Sequence, residues 1–270
     1  TRYREYLSLG KMDYLYDKVG FYDTLRPVMA GVAGTDTLAE VHAAVNDIAP
    51  HMLHFLENHD EQRIASPPFA GTAEAGRPGM AVSALIHRGP ALVYFGQEVG
   101  EAATGDAGFG DPTRTTIFDY WGVPAHQAWM NGGRFDGGQL SDAQRSLRAF
   151  YGRLLRLAST HPTMQGDYAS LHAYNRERTT AYTDKMFSFA RWNADGALIV
   201  IASFDRDKTH KLTLQIPIEL IQQWQLEPGQ YALTDTLGDI DAQLSVDARG
   251  GAVELTLAPF GAHAFTLGSQ

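Results

Sequence analysis

The densest chemistry in the sequence lies in HMLHFLENHDEQR, His51 to Arg63, where an apolar run ends in Glu57, Asn58, His59, Asp60, Glu61 and Arg63. Carboxylates and an imidazole gathered where a hydrophobic strand stops can hydrogen-bond hydroxyls, hold a developing positive charge or move protons. A second junction of this kind follows in PALVYFGQE, where Gln97 and Glu98 leave another apolar run. The plain alternative is that strands end at the surface and therefore in polar residues. That surface reading is taken for Glu61 and Glu101, and Gln97 and Glu98 are read as structural. Thiol chemistry is excluded, because the chain has no cysteine; disulfides and zinc–thiolate sites go with it. No Gly-x-Ser-x-Gly elbow supports a complete small hydrolase built on His59 and Asp60.

These groups need elements that present them together. MDYLYDKV (12–19), HMLHFL (51–56) and PALVYFG (90–96) read as strands. Helix-like stretches lie between and after them at 22–31, 35–49 (capped by Thr35 or Asp36), 76–89 and 141–162, the last capped by Ser141. Strands alternating with helices imply βαβ units and a parallel sheet, with polar groups collected at the carboxyl ends of the strands. The Gly- and aromatic-rich stretch 97–140 is too long for a simple connection and reads as a functional loop. Beyond residue 161 the texture becomes short alternating runs, such as DKMFSFARWN, ALIVIASF and HKLTLQIP, which predict an antiparallel sandwich or barrel. Two domains are expected, at 1–161 and 162–270.

Composition narrows the partners. With 44% hydrophobic residues the chain can bury a core, and a formal charge of −9 disfavours nucleic acid. No apolar run approaches the roughly 18 residues of a membrane span. The residues do not fix a compartment; a secreted or periplasmic setting is slightly favoured.

FLENHDEQR resembles the fourth signature region of the α-amylase family of retaining glycoside hydrolases, read as Phe-x-x-Asn-His-Asp. GPALVYFGQEVG looks like that family's eighth barrel strand. YREYLSLGKMDYLYDKVGFYDTLR resembles the stretch after the fifth strand through the sixth, and RTTIFDYWGVP with WMNGGRFDGGQLS is similar to a loop of some bacterial members. The resemblance implies strands six to eight of a TIM (β/α)8 barrel followed by a C-terminal antiparallel β-sandwich. It implies an α-glucan or maltooligosaccharide as substrate. By the same resemblance Asp60 stabilises the transition state and His59 binds hydroxyls of the same glucose. Asn58 supports them as a local hydrogen-bonder and Arg63 as a charge partner for a neighbouring carboxylate. Apart from the resemblance, Phe118, Tyr120, Trp121 and Trp129 lie on the loop beside the strand-eight exit, where they either stack on sugar, Trp121 foremost, or simply pack the loop.

The resemblance also implies a nucleophilic Asp and an acidic Glu, and neither has a match. Arg134-Phe135-Asp136 has the letters of an Arg-x-Asp motif but sits in a Gly-flanked loop. The Glu is implied a few residues ahead of Thr1, so the chain is expected to be the C-terminal part of a longer enzyme and inactive alone. Three strands also fall short of the eight, and of the roughly 250 residues, that such a barrel needs. Exposed barrel edges are expected to await the missing N-terminal part or to self-associate. No cofactor is expected in this chain. Ca²⁺ is implied for the full-length parent through ligands elsewhere, with Asp106 and Asp111 at most a weak second site. The competing reading is a non-catalytic carbohydrate-binding or structural module using Trp192, Trp224 or Tyr231.

Overall fold

Two sheets of opposite character organise the residues that the computed structural model describes, 2–104, 114–115 and 121–268. After α1 (Tyr3–Ser8) come β1 (Leu15–Tyr16), α2 (Asp23–Met29), α3 (Leu38–Ala43), β2 (Met52–Phe55), α4 (Gly76–Leu85) and β3 (Ala91–Leu92). The three strands pair in parallel in the order β1-β2-β3, with Leu15 opposite Met52 and His54 opposite Ala91. They are shorter than their apolar runs predict. Asp17 ends β1: its carboxylate accepts the Phe21 N–H at 3.1 Å and turns the chain into one π-helical turn, Lys18–Tyr22. After β3, Gly96 takes a left-handed φ of 81° and starts a 3-10 turn, Gln97–Val99.

The helix expected over 35–49 is interrupted, with α3 giving way to a 3-10 segment, Asn46–His51. Thr35 and Asp36 do not cap it. The Thr35 hydroxyl donates to the carbonyls of Asp184 and Met186, while Asp36 accepts from His172 and Arg176. Both side chains thus tie this region to the second half of the chain rather than to a helix end.

Next come α5 (Pro124–Met130) and α6 (Asp142–Thr160). Ser141 starts α6 with a reciprocal capping box: Ser141 Oγ accepts the Gln144 N–H, and Gln144 Oε1 accepts the Ser141 N–H. The rest is β4 (Asp167–Ser170), α7 (His172–Arg178), β5 (Met186–Asn193), β6 (Gly196–Ser203), β7 (His210–Pro217), α8 (Ile218–Gln223), β8 (Gly229–Asp235), β9 (Asp241–Asp247), β10 (Gly250–Leu257) and β11 (Ala262–Gly268). These strands form one antiparallel sheet in the order β4-β5-β6-β11-β8-β9-β10-β7. It curls over a core that includes Met186, Ile199, Leu214, Leu244, Val253 and Phe265, a β-sandwich-like arrangement. Strands β4 and β9 and the helices α7 and α8 are not among the elements read from the sequence, although β9 alternates apolar and polar residues.

The other face of β5, β6 and β11 is also apolar. Phe187, Phe189, Leu198, Val200 and Ala264 pack with Met80 and Leu85 of α4 and with Phe150 and Leu154 of α6 in one continuous core. That core crosses the position, 161/162, where the sequence changes texture. Arg191, fully buried at the end of this face, donates to the carbonyls of Ile86, Thr163, Met164 and Gly166 and pins the two parts together.

Candidate functional site

Because β1, β2 and β3 run parallel, their carboxyl ends open on one side, and each exit carries polar side chains. The β2 exit is the most elaborate. Glu57 and Arg63 are buried and joined by a hydrogen-bonded ion pair, Nη1 to Oε2, of 2.7 Å. The second Glu57 oxygen accepts the Ile64 N–H at 2.7 Å. The Arg63 guanidinium also donates from Nε and Nη2 to the Thr115 hydroxyl at 3.1 and 2.7 Å. It lies 4.3 Å from the centre of the Tyr94 ring and 4.9 Å from that of Phe95, both at the β3 exit. Burial pushes the Glu57 carboxyl above the usual carboxylate range, against the opposing pull of Arg63 and the Ile64 amide. One arginine therefore fastens the loop after β2 to the loop after β3.

Within this frame the chain bends at Asn58. Its side-chain oxygen accepts the N–H groups of Asp60 at 2.8 Å and Glu61 at 3.0 Å, a local turn that suits Asn. The bend turns His59 and Asp60 outward. Their side chains are 50% and 73% exposed, and His59 Nε2 stands 3.4 Å from Asp60 Oδ2. The Arg114 guanidinium donates to the Asp60 carbonyl at 3.4 Å. An anion and an imidazole held on a rigid turn at a strand exit can orient hydroxyls and stabilise a cationic centre brought against them.

The β1 exit adds a third set. Lys18 bridges Asp23 at 2.6 Å and Glu61 at 3.1 Å, and the Tyr22 hydroxyl donates to Glu61 at 3.2 Å. Tyr22 stacks on Phe55 of β2 with ring centres 4.6 Å apart. Burial raises the Tyr22 phenol well above its ordinary value, and the neighbouring Glu61 adds to the effect. Deeper in the sheet, Asp17 and His54 approach to 3.5 Å, and His54 lies between the rings of Phe21 and His87.

The structure brings Asn58, His59, Asp60 and Arg63 into one turn. Trp121 is exposed on a separate turn ahead of α5. Trp129 is packed within the loop, between the rings of His126 and Phe135 and under Arg148. Phe118, Tyr120, Asp106 and Asp111 lie outside the described residues. Asp136 accepts from the Asn131 amide and the Gly138 N–H in an exposed turn. The surface reading of Glu101 is wrong: it is buried, and its carboxylate accepts the N–H groups of Ala102, Ala103, Ala125 and His126, closing the loop onto the start of α5. Gln97 is buried as well, donating to the Tyr151 hydroxyl. The expected pairing of Arg63 with a neighbouring carboxylate is present, and the structure identifies the partner as Glu57; the sequence did not place Lys18 and Tyr22 near Glu61. The six-residue separation of Glu57 and Arg63 across an Asn turn was the available signal for that partner. Among the described residues no group of three or more His, Asp or Glu side chains is arranged to hold a metal ion.

No protein-family model and no curated protein sequence matches the chain. Solved structures do. AmyP in complex with maltose is similar at 21% identity and a TM-score of 0.61, over 94% of this chain and 50% of that one. The maltogenic α-amylase AmyB of Thermotoga neapolitana is similar at 15% identity and a TM-score of 0.63, over 97% and 52%. The α-amylase of H. orenii is similar at 16% identity and a TM-score of 0.59, over 96% and 49%. The chain thus has the fold of about half of an α-amylase family enzyme and spans about half the length of these relatives.

Proposed function

We propose that these 270 residues are the C-terminal part of an α-amylase-type glycoside hydrolase that acts on α-1,4-glucans with retention. In this reading β1, β2 and β3 are strands six to eight of a (β/α)8 barrel, and residues 162–270 are its C-terminal β domain. The exposed His59–Asp60 pair on the β2 exit, braced from beneath by Asn58 and the buried Glu57–Arg63 pair, carries the reading. The half-length likeness to amylases, one of them solved with maltose and another structure with maltotriose, supports the substrate class. The open edge of β1 also supports it. Leu9, Met12, Tyr14, Tyr16 and Val19 beside that edge are exposed, as expected where further strands add.

Glycosidic cleavage with retention passes through an oxocarbenium-like transition state, flanked by a nucleophile and an acid about 5–5.5 Å apart. Asp60 is the fixed anion beside that cation, an interaction stronger in the transition state than in the ground state. His59 donates to hydroxyls of the same glucose. Arg63 and Asn58 hold the turn without touching sugar, and Trp121 offers an exposed ring for stacking. The nucleophile and the acid belong to the rest of the enzyme. The test is turnover: the 270-residue chain incubated with maltooligosaccharides releases no new reducing ends, whereas the complete enzyme does. Hydrolysis by the 270 residues alone overturns this assignment of roles.

A further inference from the structure

A groove of about 580 Å³ lies at one end of the curled sheet, between the β5–β6 turn and the end of α8, and the strand-exit site contributes no residue to it. Two indoles line it. Trp192 sits near the end of β5, fixed on both sides by pairing with Asp167 of β4 and Ala197 of β6. Trp224 directly follows α8, its N–H bonded to the Leu220 carbonyl. Their ring centres are 6.4 Å apart and their planes cross at 59°, so the pair makes a V seated on the sheet core and only partly covered. The Trp224 indole N–H is buried and has no hydrogen-bond partner. Gln225, next in the chain, is held at a left-handed φ of 57° that a non-glycine residue rarely adopts.

The remaining polar lining selects the ligand. Asn193, Gln223 and Gln225 supply neutral amides and Asp167 one carboxylate, while Lys, Arg and His are absent from the described residues that line the groove. A phosphate or carboxylate would meet Asp167 with no cation to receive it. A purely apolar molecule would leave the amides without partners. A pyranose suits both surfaces, its C–H face against an indole and its hydroxyl rim against the amides.

We propose that the Trp192–Trp224 groove is a second, non-catalytic binding site for a neutral oligosaccharide. Its assignment to α-glucans in particular rests on the function proposed above; its preference for neutral sugars does not. The site would hold a polymer chain on the β-rich part while another stretch occupies the strand exits.

The experiment titrates the full 270-residue chain with maltoheptaose and, in parallel, cellohexaose, following tryptophan fluorescence and the indole N–H resonances. Saturable binding of maltoheptaose is expected, weakened about tenfold by Trp224→Ala and by Trp192→Ala. The Trp224 indole resonance moves on binding. Binding of neither sugar overturns the proposal, as does binding that survives both tryptophan changes. Loss with Asp60→Asn alone overturns the groove and leaves the strand-exit reading standing. Binding of cellohexaose in place of maltoheptaose, lost with the tryptophans, upholds the groove and counts against the α-glucan reading. If the alanine variants unfold, Trp224→Phe and Asn193→Ala decide: the first keeps a ring without the N–H, the second trims only the rim. Unaltered affinity in both overturns the proposal.

Discussion

Arg63 and Glu57 meet at 2.7 Å with both side chains shut away from water, and the same guanidinium reaches Thr115 and the rings of Tyr94 and Phe95. The pair lies within the loop after β2 and its guanidinium reaches the loop after β3, so its integrity decides where His59 and Asp60 stand.

Removing one member strands the other charge. Arg63→Met is expected to lower stability by about 3–5 kcal/mol, read as a shift in the urea midpoint. A second change, Glu57→Leu, should recover a large part of that loss by abolishing the uncompensated anion. A single-variant loss below about 1 kcal/mol means the pair is not the brace described.

Asp60 is expected to behave in the opposite way. With its side chain 73% exposed, Asp60→Asn should leave the unfolding midpoint of the chain within about 0.5 kcal/mol. In the complete enzyme the same change should cut kcat on maltooligosaccharides by about a hundredfold or more. Undiminished kcat removes Asp60 from the reaction.

Acid should weaken the fold through buried imidazoles. Burial, with His54 and Arg191 nearby, pushes His42 down to about 3, and burial drives His87 down likewise. In the unfolded chain a histidine takes up its proton near pH 6.5. Below that pH the unfolded state therefore binds more protons, and stability falls as the pH drops from 6.5 toward 3. The slope is about 1.4 kcal/mol per pH unit for each such group at most. His42→Gln should flatten the curve across this window, measured by urea unfolding at a series of pH values. An unchanged slope excludes His42 as a contributor.

How much of this was legible beforehand differs from residue to residue. The apolar run ending in Asn58-His59-Asp60 announced a strand exit because strand pattern and turn chemistry are both local. The cap at Ser141 was readable for the same reason, with Gln144 three residues on. Glu101 was not: its burial follows from amides contributed by Ala125 and His126, more than twenty residues away. Thr35 and Asp36 looked like helix caps, but partners near residues 172–186 claim them, and no local signal carries that. The interior strand β9, DAQLSVD, alternates Ala242, Leu244 and Val246 with polar residues, a strand signal as local as the cap at Ser141.

Two glycines in the same half should respond in opposite directions. A Cβ on Gly89 would stand 2.3 Å from the Met52 carbonyl oxygen and 2.5 Å from that of Ala49, so Gly89→Ala should cost about 1–3 kcal/mol. Gly152, on the exposed side of α6, has nothing within 4 Å of that position, and Gly152→Ala should add up to about 1 kcal/mol. Thermal melts of both variants test the pair, and a gain for Gly89→Ala contradicts the close approach of the turn after α4 to the backbone of Ala49 and Met52.

The face of β5, β6 and β11 that rests on α4 and α6 means the sheet is not a detachable cartridge. Excised at the change of texture, it would turn Phe187, Phe189, Leu198 and Val200 toward solvent and invite clumping. Chimaeras that exchange this half between enzymes must carry the two helices across with it, or redesign that seam.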